Sequence, residues 1–180
     1  MGKCALLILT LVFVFFTILV ETIVFILQLK GQKFSRWIGK SAFTVHMFIT
    51  GCLWLVTFFL IFILQFKKHP HFHSSLVVKY AGLILLILGL GLAIWGFKLL
   101  GLRRSFGLNF FQEDVSVVSK GLYKHMKNPE DYGLWIALMG FAAFTRSTYN
   151  LIIAFEFIIL MIPHMMVENI PLRKQLHGSH

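Results

Sequence analysis

Cys4-Ala5-Leu6-Leu7-Ile8-Leu9-Thr10-Leu11-Val12-Phe13-Val14-Phe15-Phe16-Thr17-Ile18-Leu19-Val20-Glu21-Thr22-Ile23-Val24-Phe25-Ile26-Leu27-Gln28-Leu29 stands near the start of the chain, and Glu21 is its sole charge. A run of this length exceeds the roughly 20 apolar residues that a helix needs to cross the hydrocarbon of a bilayer. It is also longer than a signal-peptide core, and no small-residue cleavage site follows, so it reads as a retained first span. Two further runs have the same character, from about Ser41 to Phe66 and from about Val77 to Leu100. Of the 180 residues, 58% are hydrophobic and 13% charged, with a mean hydropathy of +0.81. A soluble domain does not reach those values. The expectation is a single all-α membrane domain over residues 1–180, a polytopic helical bundle.

The last third differs from the first hundred residues. Residues 101–128 are too polar to span and alternate aromatic with polar groups, as in Leu108-Asn109-Phe110-Phe111-Gln112-Glu113-Asp114. They read as a connector at the interface, with Arg103 and Arg104 towards anionic lipid headgroups. A fourth apolar segment runs over about 131–144 and a fifth over about 149–167, with Thr145-Arg146-Ser147-Thr148 as the turn between them. The fourth, roughly 14 residues at about 1.5 Å each, falls short of the hydrocarbon thickness. The bundle is therefore expected to have about five transmembrane segments, at 4–29, 41–66, 77–100, 131–144 and 149–167, the last two a short helical hairpin.

The formal net charge is +10. Because the basic residues sit between apolar spans, they point to orientation and anionic headgroups rather than to nucleic acid, and no nucleic-acid partner is expected. If all five segments cross, twelve of the 17 Lys and Arg residues fall on one side. They are Lys30, Lys33, Arg36, Lys40, Lys98, Arg103, Arg104, Lys120, Lys124, Lys127, Arg173 and Lys174; Lys3, Lys67, Lys68, Lys79 and Arg146 fall on the other. The richer side is then cytosolic. The protein is expected to be multi-pass, in the endoplasmic reticulum membrane if eukaryotic and the inner membrane if bacterial.

Few residues in the spans carry chemistry. Glu21 must face the bundle, lie near an interface or be protonated, because an ionised carboxylate in hydrocarbon is costly. It reads as a polar contact between helices or as part of a substrate site. His46 reads as a packing residue. His69, His71 and His73 alternate, but Pro70 interrupts them and no carboxylate or cysteine lies near, so no metal site is expected. Cys4 and Cys52 form no disulfide framework. Gly89 and Gly91 allow close approach of a helix or a ligand. Asn128-Pro129-Glu130-Asp131 is a strong helix start: Asn for the N-cap, Pro for the first helical position, and two acids at the positive end of the dipole.

Three elements in the last third form a pattern. Gly121-Leu122-Tyr123 leads in, Asn128-Pro129-Glu130-Asp131-Tyr132-Gly133 follows, and Glu168-Asn169-Ile170-Pro171-Leu172 closes it after the hairpin. The block resembles the C-terminal signature of the small integral-membrane methyltransferases, the isoprenylcysteine carboxyl methyltransferases and the phospholipid N-methyltransferases. Their pattern is Gly-x-Tyr, then Arg-His-Pro-x-Tyr-x-Gly or Asn-Pro-x-Tyr-x-Gly, then Glu-Glu-x-x-Leu. Here Asp131 stands in place of the family tyrosine, with Tyr132 adjacent, and Asn169 in place of the second glutamate. Lys127-Asn128 leans towards the phospholipid branch.

The resemblance implies a membrane-embedded S-adenosylmethionine-dependent methyltransferase acting on a lipid or lipidated acceptor, either a phospholipid amine or an isoprenylcysteine carboxylate. It implies that Tyr123, Asn128 and Pro129 line the cofactor pocket with Tyr132 beside them, and that Gly133 permits close helix approach. It also implies that Glu168, next to Asn169, meets the cofactor's ammonium or ribose hydroxyls. Gly89 and Gly91 would supply the glycine motif of the phospholipid branch. No catalytic residue is assigned; Glu113, Asp114 and His125 are available as bases for an amine acceptor. The alternatives are a non-catalytic scaffold of the same architecture and a small transporter built on Glu21, Glu156 and His46.

Overall fold

The computed structural model describes residues 3–66, 70–112 and 120–177, with side chains for residues 4–66, 70–112 and 120–170. Among the described residues every regular element is helical: α1 (Lys3–Leu29), α2 (Lys33–Ile38), α3 (Ala42–Leu64), α4 (Leu76–Leu100), α5 (Leu102–Ser105), α6 (Leu108–Phe111), α7 (Pro129–Thr145) and α8 (Thr148–His177), with 3₁₀ turns at Gly39–Ser41 and Gly121–Lys124. Four segments are long and apolar enough to cross a membrane: Cys4–Leu29, Lys33–Leu64, Leu76–Leu100 and Thr148–Ile170. Their outward faces carry exposed Phe16, Phe48, Leu55, Phe59, Ile87, Ile94, Phe155 and Ile159, as a lipid-facing surface requires.

The short fourth segment is α7, with 17 residues, or about 25 Å of helix. Its packing decides its course. It runs antiparallel against α4 along a seam of small residues. A Cβ on Gly82 would meet the backbone at Ala143 and Phe144, one on Gly89 would collide with Ala137 and the Gly133 carbonyl, and one on Gly96 would stand 2.8 Å from the Glu130 nitrogen. In lipid, small residues are what let two helix backbones approach this closely. Residues 130–144 therefore lie beside 82–96 of α4, and we infer that α7 crosses with it. At its far end the α7–α8 turn is tied to the α3–α4 loop: the Phe72 N–H donates to the Arg146 carbonyl at 3.0 Å and the Thr148 N–H to the Pro70 carbonyl at 3.1 Å.

The main core lies between α1, α3 and α8, around Val14, Ile18, Leu60, Leu64, Ile153, Phe157 and Met161. Polar pairs fix the register inside it. Thr17 and Thr57 share a hydrogen bond at 3.0 Å, and Gln65 and Asn150 exchange amide bonds at 2.7 and 3.0 Å. The helices pack in the order α4, α7, α8, α1, α3. α3 and α4 stand at the two ends of that order, and from this we infer a lateral opening towards the bilayer between them.

α7 and α8 are joined by a tight turn and pack together as a helical hairpin. The helix of the fifth segment runs on past the apolar stretch. α8 is a single helix of 30 residues that continues through Pro171 to His177. Hydropathy marks where the membrane ends, not where the helix ends, and Leu172-Arg173-Lys174-Gln175-Leu176 are all good helix formers. The connector also packs against the bundle. Gly107, at φ +74°, leaves room for the Phe25 ring, and Phe110 is buried and stacks on Phe25 at 4.0 Å. Arg103 lies over the Phe43 ring at 5.3 Å.

Candidate functional site

The site is assembled where α7 begins. Pro129 occupies the first turn and Asn128 the cap position, yet the Asn128 side chain makes no capping bond. Its amide instead donates to Glu168 Oε2 at 2.5 Å and Asp131 Oδ2 at 3.3 Å. One buried side chain thus ties the start of α7 to α8, 40 positions along the chain. Asn128 is 3% exposed, and its Oδ1 has no hydrogen-bond partner. A buried amide oxygen without a donor is costly in a finished fold and marks a place where a ligand can supply one.

Glu130 is also buried, seated against Gly96. Tyr123, delivered by the 3₁₀ turn ahead of α7, donates its hydroxyl to Glu130 Oε2 at 2.5 Å. Burial first, and then the charge of Glu130, raise the Tyr123 hydroxyl well above its ordinary range. It therefore stays a neutral donor at physiological pH.

These groups border a cavity of about 320 Å³. Among the described residues its lining includes Glu21 of α1, Glu130 and Asp131 of α7, and Glu168 of α8, and no lysine or arginine. His164 joins them and shares a hydrogen bond with Thr22 at 2.8 Å. Met161, Leu134, Trp54 and Phe58 form the apolar part, and Leu102, Ser105 and Phe106 of the connector lie over it. Phe58 of α3 and Phe97 of α4 line the cavity and remain 44% and 37% exposed, beside the lateral opening.

Of the residues singled out in the sequence, Glu168 lines this cavity, while Tyr123 and Asn128 reach it through their bonds to Glu130, Asp131 and Glu168. Pro129 is fully buried. Tyr132 turns away from the cavity, packs edge-on against Trp135 at 5.2 Å and adjoins the main core. Gly133 and Gly89 face each other across the α4–α7 seam, outside the cavity. Gly91 points to open space on the other face of α4. The Asn169 amide donates to the Met165 carbonyl at 2.6 Å, and its Oδ1 is buried without a partner.

His125 is exposed and does not line the cavity, while Glu113 and Asp114 lie outside the described residues. Asp131, read as a departure from the family tyrosine, is a cavity wall. Glu21, Glu130 and His164 also line the cavity; Glu130 stands at a variable position of the quoted motif, and Glu21 and His164 lie in apolar runs without one. Of the acids and histidine named for a transporter, only Glu21 lines this cavity; His46 packs beside Thr50 and Phe25 instead.

The family model described as phospholipid methyltransferase matches residues 77–177, more than half of the chain, from the second residue of α4 to the end of α8. The chain belongs to the phospholipid methyltransferase family. No curated protein and no solved structure matches it. The stretch matched to the phospholipid methyltransferase family holds Tyr123, Asn128, Glu130, Asp131, His164 and Glu168. Glu21, Trp54 and Phe58 come from the two helices ahead of it.

Proposed function

We propose that this chain is a membrane-embedded methyltransferase that takes S-adenosylmethionine as donor and an amine-bearing phospholipid as acceptor. The observation that carries this reading is the cavity whose lining, among the described residues, has four carboxyl groups and no basic side chain. Away from bulk water such a lining favours positively charged guests, because charge complementarity counts for more at low dielectric. Donor and acceptor both fit that demand: one brings a sulfonium and an ammonium, the other an amine headgroup. An isoprenylcysteine carboxylate is disfavoured on the same ground.

The residues suit the donor. Glu168 would meet its ammonium or ribose hydroxyls, and the partnerless oxygens of Asn128 and Asn169 are acceptors for its other donors. Tyr123 acts from behind, holding Glu130 in place. When bound, S-adenosylmethionine supplies an electrophilic methyl group. What remains for the protein is alignment, exclusion of water and removal of a proton. An ammonium acceptor must lose a proton before its nitrogen can attack. Glu21 and Asp131 are the cavity carboxylates we assign to hold the amine and receive that proton.

The lateral opening beside Phe58 and Phe97 suits an acceptor whose tails stay in the bilayer. The excess of Lys and Arg at the cavity end of the bundle supports a cytosolic site, with Arg103 and Arg104 near anionic headgroups. The reading fits the endoplasmic reticulum membrane of a eukaryote or the inner membrane of a bacterium.

The test is transfer of labelled methyl groups from S-adenosylmethionine into vesicles of phosphatidylethanolamine. Label is expected in the lipid fraction, and Glu21→Gln should lower turnover while donor binding persists. A folded protein that binds donor and labels no amine lipid would remove the proposed acceptor.

A further inference from the structure

A second cavity, of about 630 Å³, lies at the opposite end of the bundle, where the α3–α4 loop meets the α7–α8 turn. Among the described residues Arg146, Lys79, His71, His73, Ser74 and Ser75 line it, and no carboxylate does. Its walls are built rather than incidental. His71 pairs with Ser147 in an antiparallel bridge, flanked by the backbone bonds from Phe72 and Thr148. Asn150 braces the turn from below through Thr145 at 2.9 Å and Gln65.

Three features point to an anion. Arg146 sits at φ 54° in the left-handed region, where glycine or asparagine normally ends a helix. A long cationic side chain kept in that sparsely populated conformation motivates a functional reading. Donors stand ready: Arg146 Nε and Ser74 Oγ are buried and have no hydrogen-bond partner. The third feature is the start of α4, a helix of 25 residues whose cap, Ser75, lines the same cavity, so the positive end of the helix lies beside it. Lys79, poised over the Phe144 ring at 5.7 Å, lies one turn further on. A cation finds no ligand charge here; a phosphate finds a guanidinium, an ammonium, a hydroxyl and a helix start.

We propose that this cavity binds a phosphate group at the membrane face opposite the methyl-transfer cavity. The group is either the phosphodiester of a lipid headgroup or free phosphate. The proposal is independent of the methyltransferase reading.

The full-length protein in a neutral, phosphate-free detergent would be titrated with inorganic phosphate, with dihexanoyl phosphatidylglycerol, and with sodium chloride at matched ionic strength, following the melting midpoint. A saturable rise beyond the salt control is expected. A response to the lipid alone assigns a headgroup, and an equal response to inorganic phosphate assigns the free ion. Lys79→Gln and Arg146→Gln should each raise the apparent Kd about tenfold, the size of one lost charge-assisted bond. Because the Arg146 backbone also ends α7, Lys79→Gln and Ser74→Ala carry the test if Arg146→Gln does not fold. No rise beyond salt, or a response unchanged in both of those variants, overturns the proposal.

Discussion

At the scale of single residues, the account turns on how Asn128 uses its side chain. A cap asparagine ordinarily bonds its own helix, yet here the amide reaches Glu168 and Asp131. Asn128→Ala should therefore weaken donor binding without removing the helix start, because Pro129 still occupies the first turn. Calorimetry should show at least about a tenfold loss of affinity, in line with a bond to a charged group, while helicity by circular dichroism is unchanged. Tyr123→Phe makes a different prediction. It leaves buried Glu130 without its donor, so it should lower stability by about 1–3 kcal/mol, read as a lower melting midpoint in detergent.

The residues in this site differ in how far the sequence exposes them. Asn128 and Glu168 stand in motifs with recognisable neighbours. Glu21 is a lone acid in an apolar run, and nothing in its surroundings says which way it faces. Its role follows only once α1, α7 and α8 are set side by side, and that register comes from tertiary packing.

At the scale of the element, the α4–α7 seam fixes where the carboxylates stand. Gly89 and Gly91 look equivalent in sequence, but two residues on a helix lie about 200° apart. Gly89 therefore faces α7 while Gly91 faces outward. Gly89→Ala would press a methyl into the backbone of Ala137 and should cost about 1–3 kcal/mol by overpacking. Gly91→Ala meets nothing and should change stability by less than about 0.5 kcal/mol. Paired thermal melts check both, and equal effects at the two positions would contradict the seam. The seam also explains why a helix of 17 residues lies within the membrane: its partner supplies the second wall. The apolar run over 131–144 falls within α7. α8 continues to His177, because helix propensity outlasts the apolar run.

At the scale of the whole molecule, both cavities depend on α7 crossing. That puts the Gly121–Lys124 turn and the α3–α4 loop on opposite sides. With Cys4 and Cys52 replaced by alanine, Lys124→Cys should react with a membrane-impermeant maleimide in sealed vesicles whose cytosolic face is outward. His73→Cys should react there only after permeabilisation. Labelling of both from one side would mean that the order of crossings is wrong. The bundle class is legible from composition and apolar runs alone. The lateral opening between α3 and α4 is not, since it follows from the order in which the helices pack.

The central claim is that the carboxylate cavity holds S-adenosylmethionine. Its most direct measurement is calorimetric titration of the detergent-purified protein with S-adenosylmethionine beside Glu168→Gln. The account predicts micromolar binding by the wild type and a loss of at least about tenfold in the variant. A well-folded wild type that does not bind, or binding untouched by the variant, would contradict it.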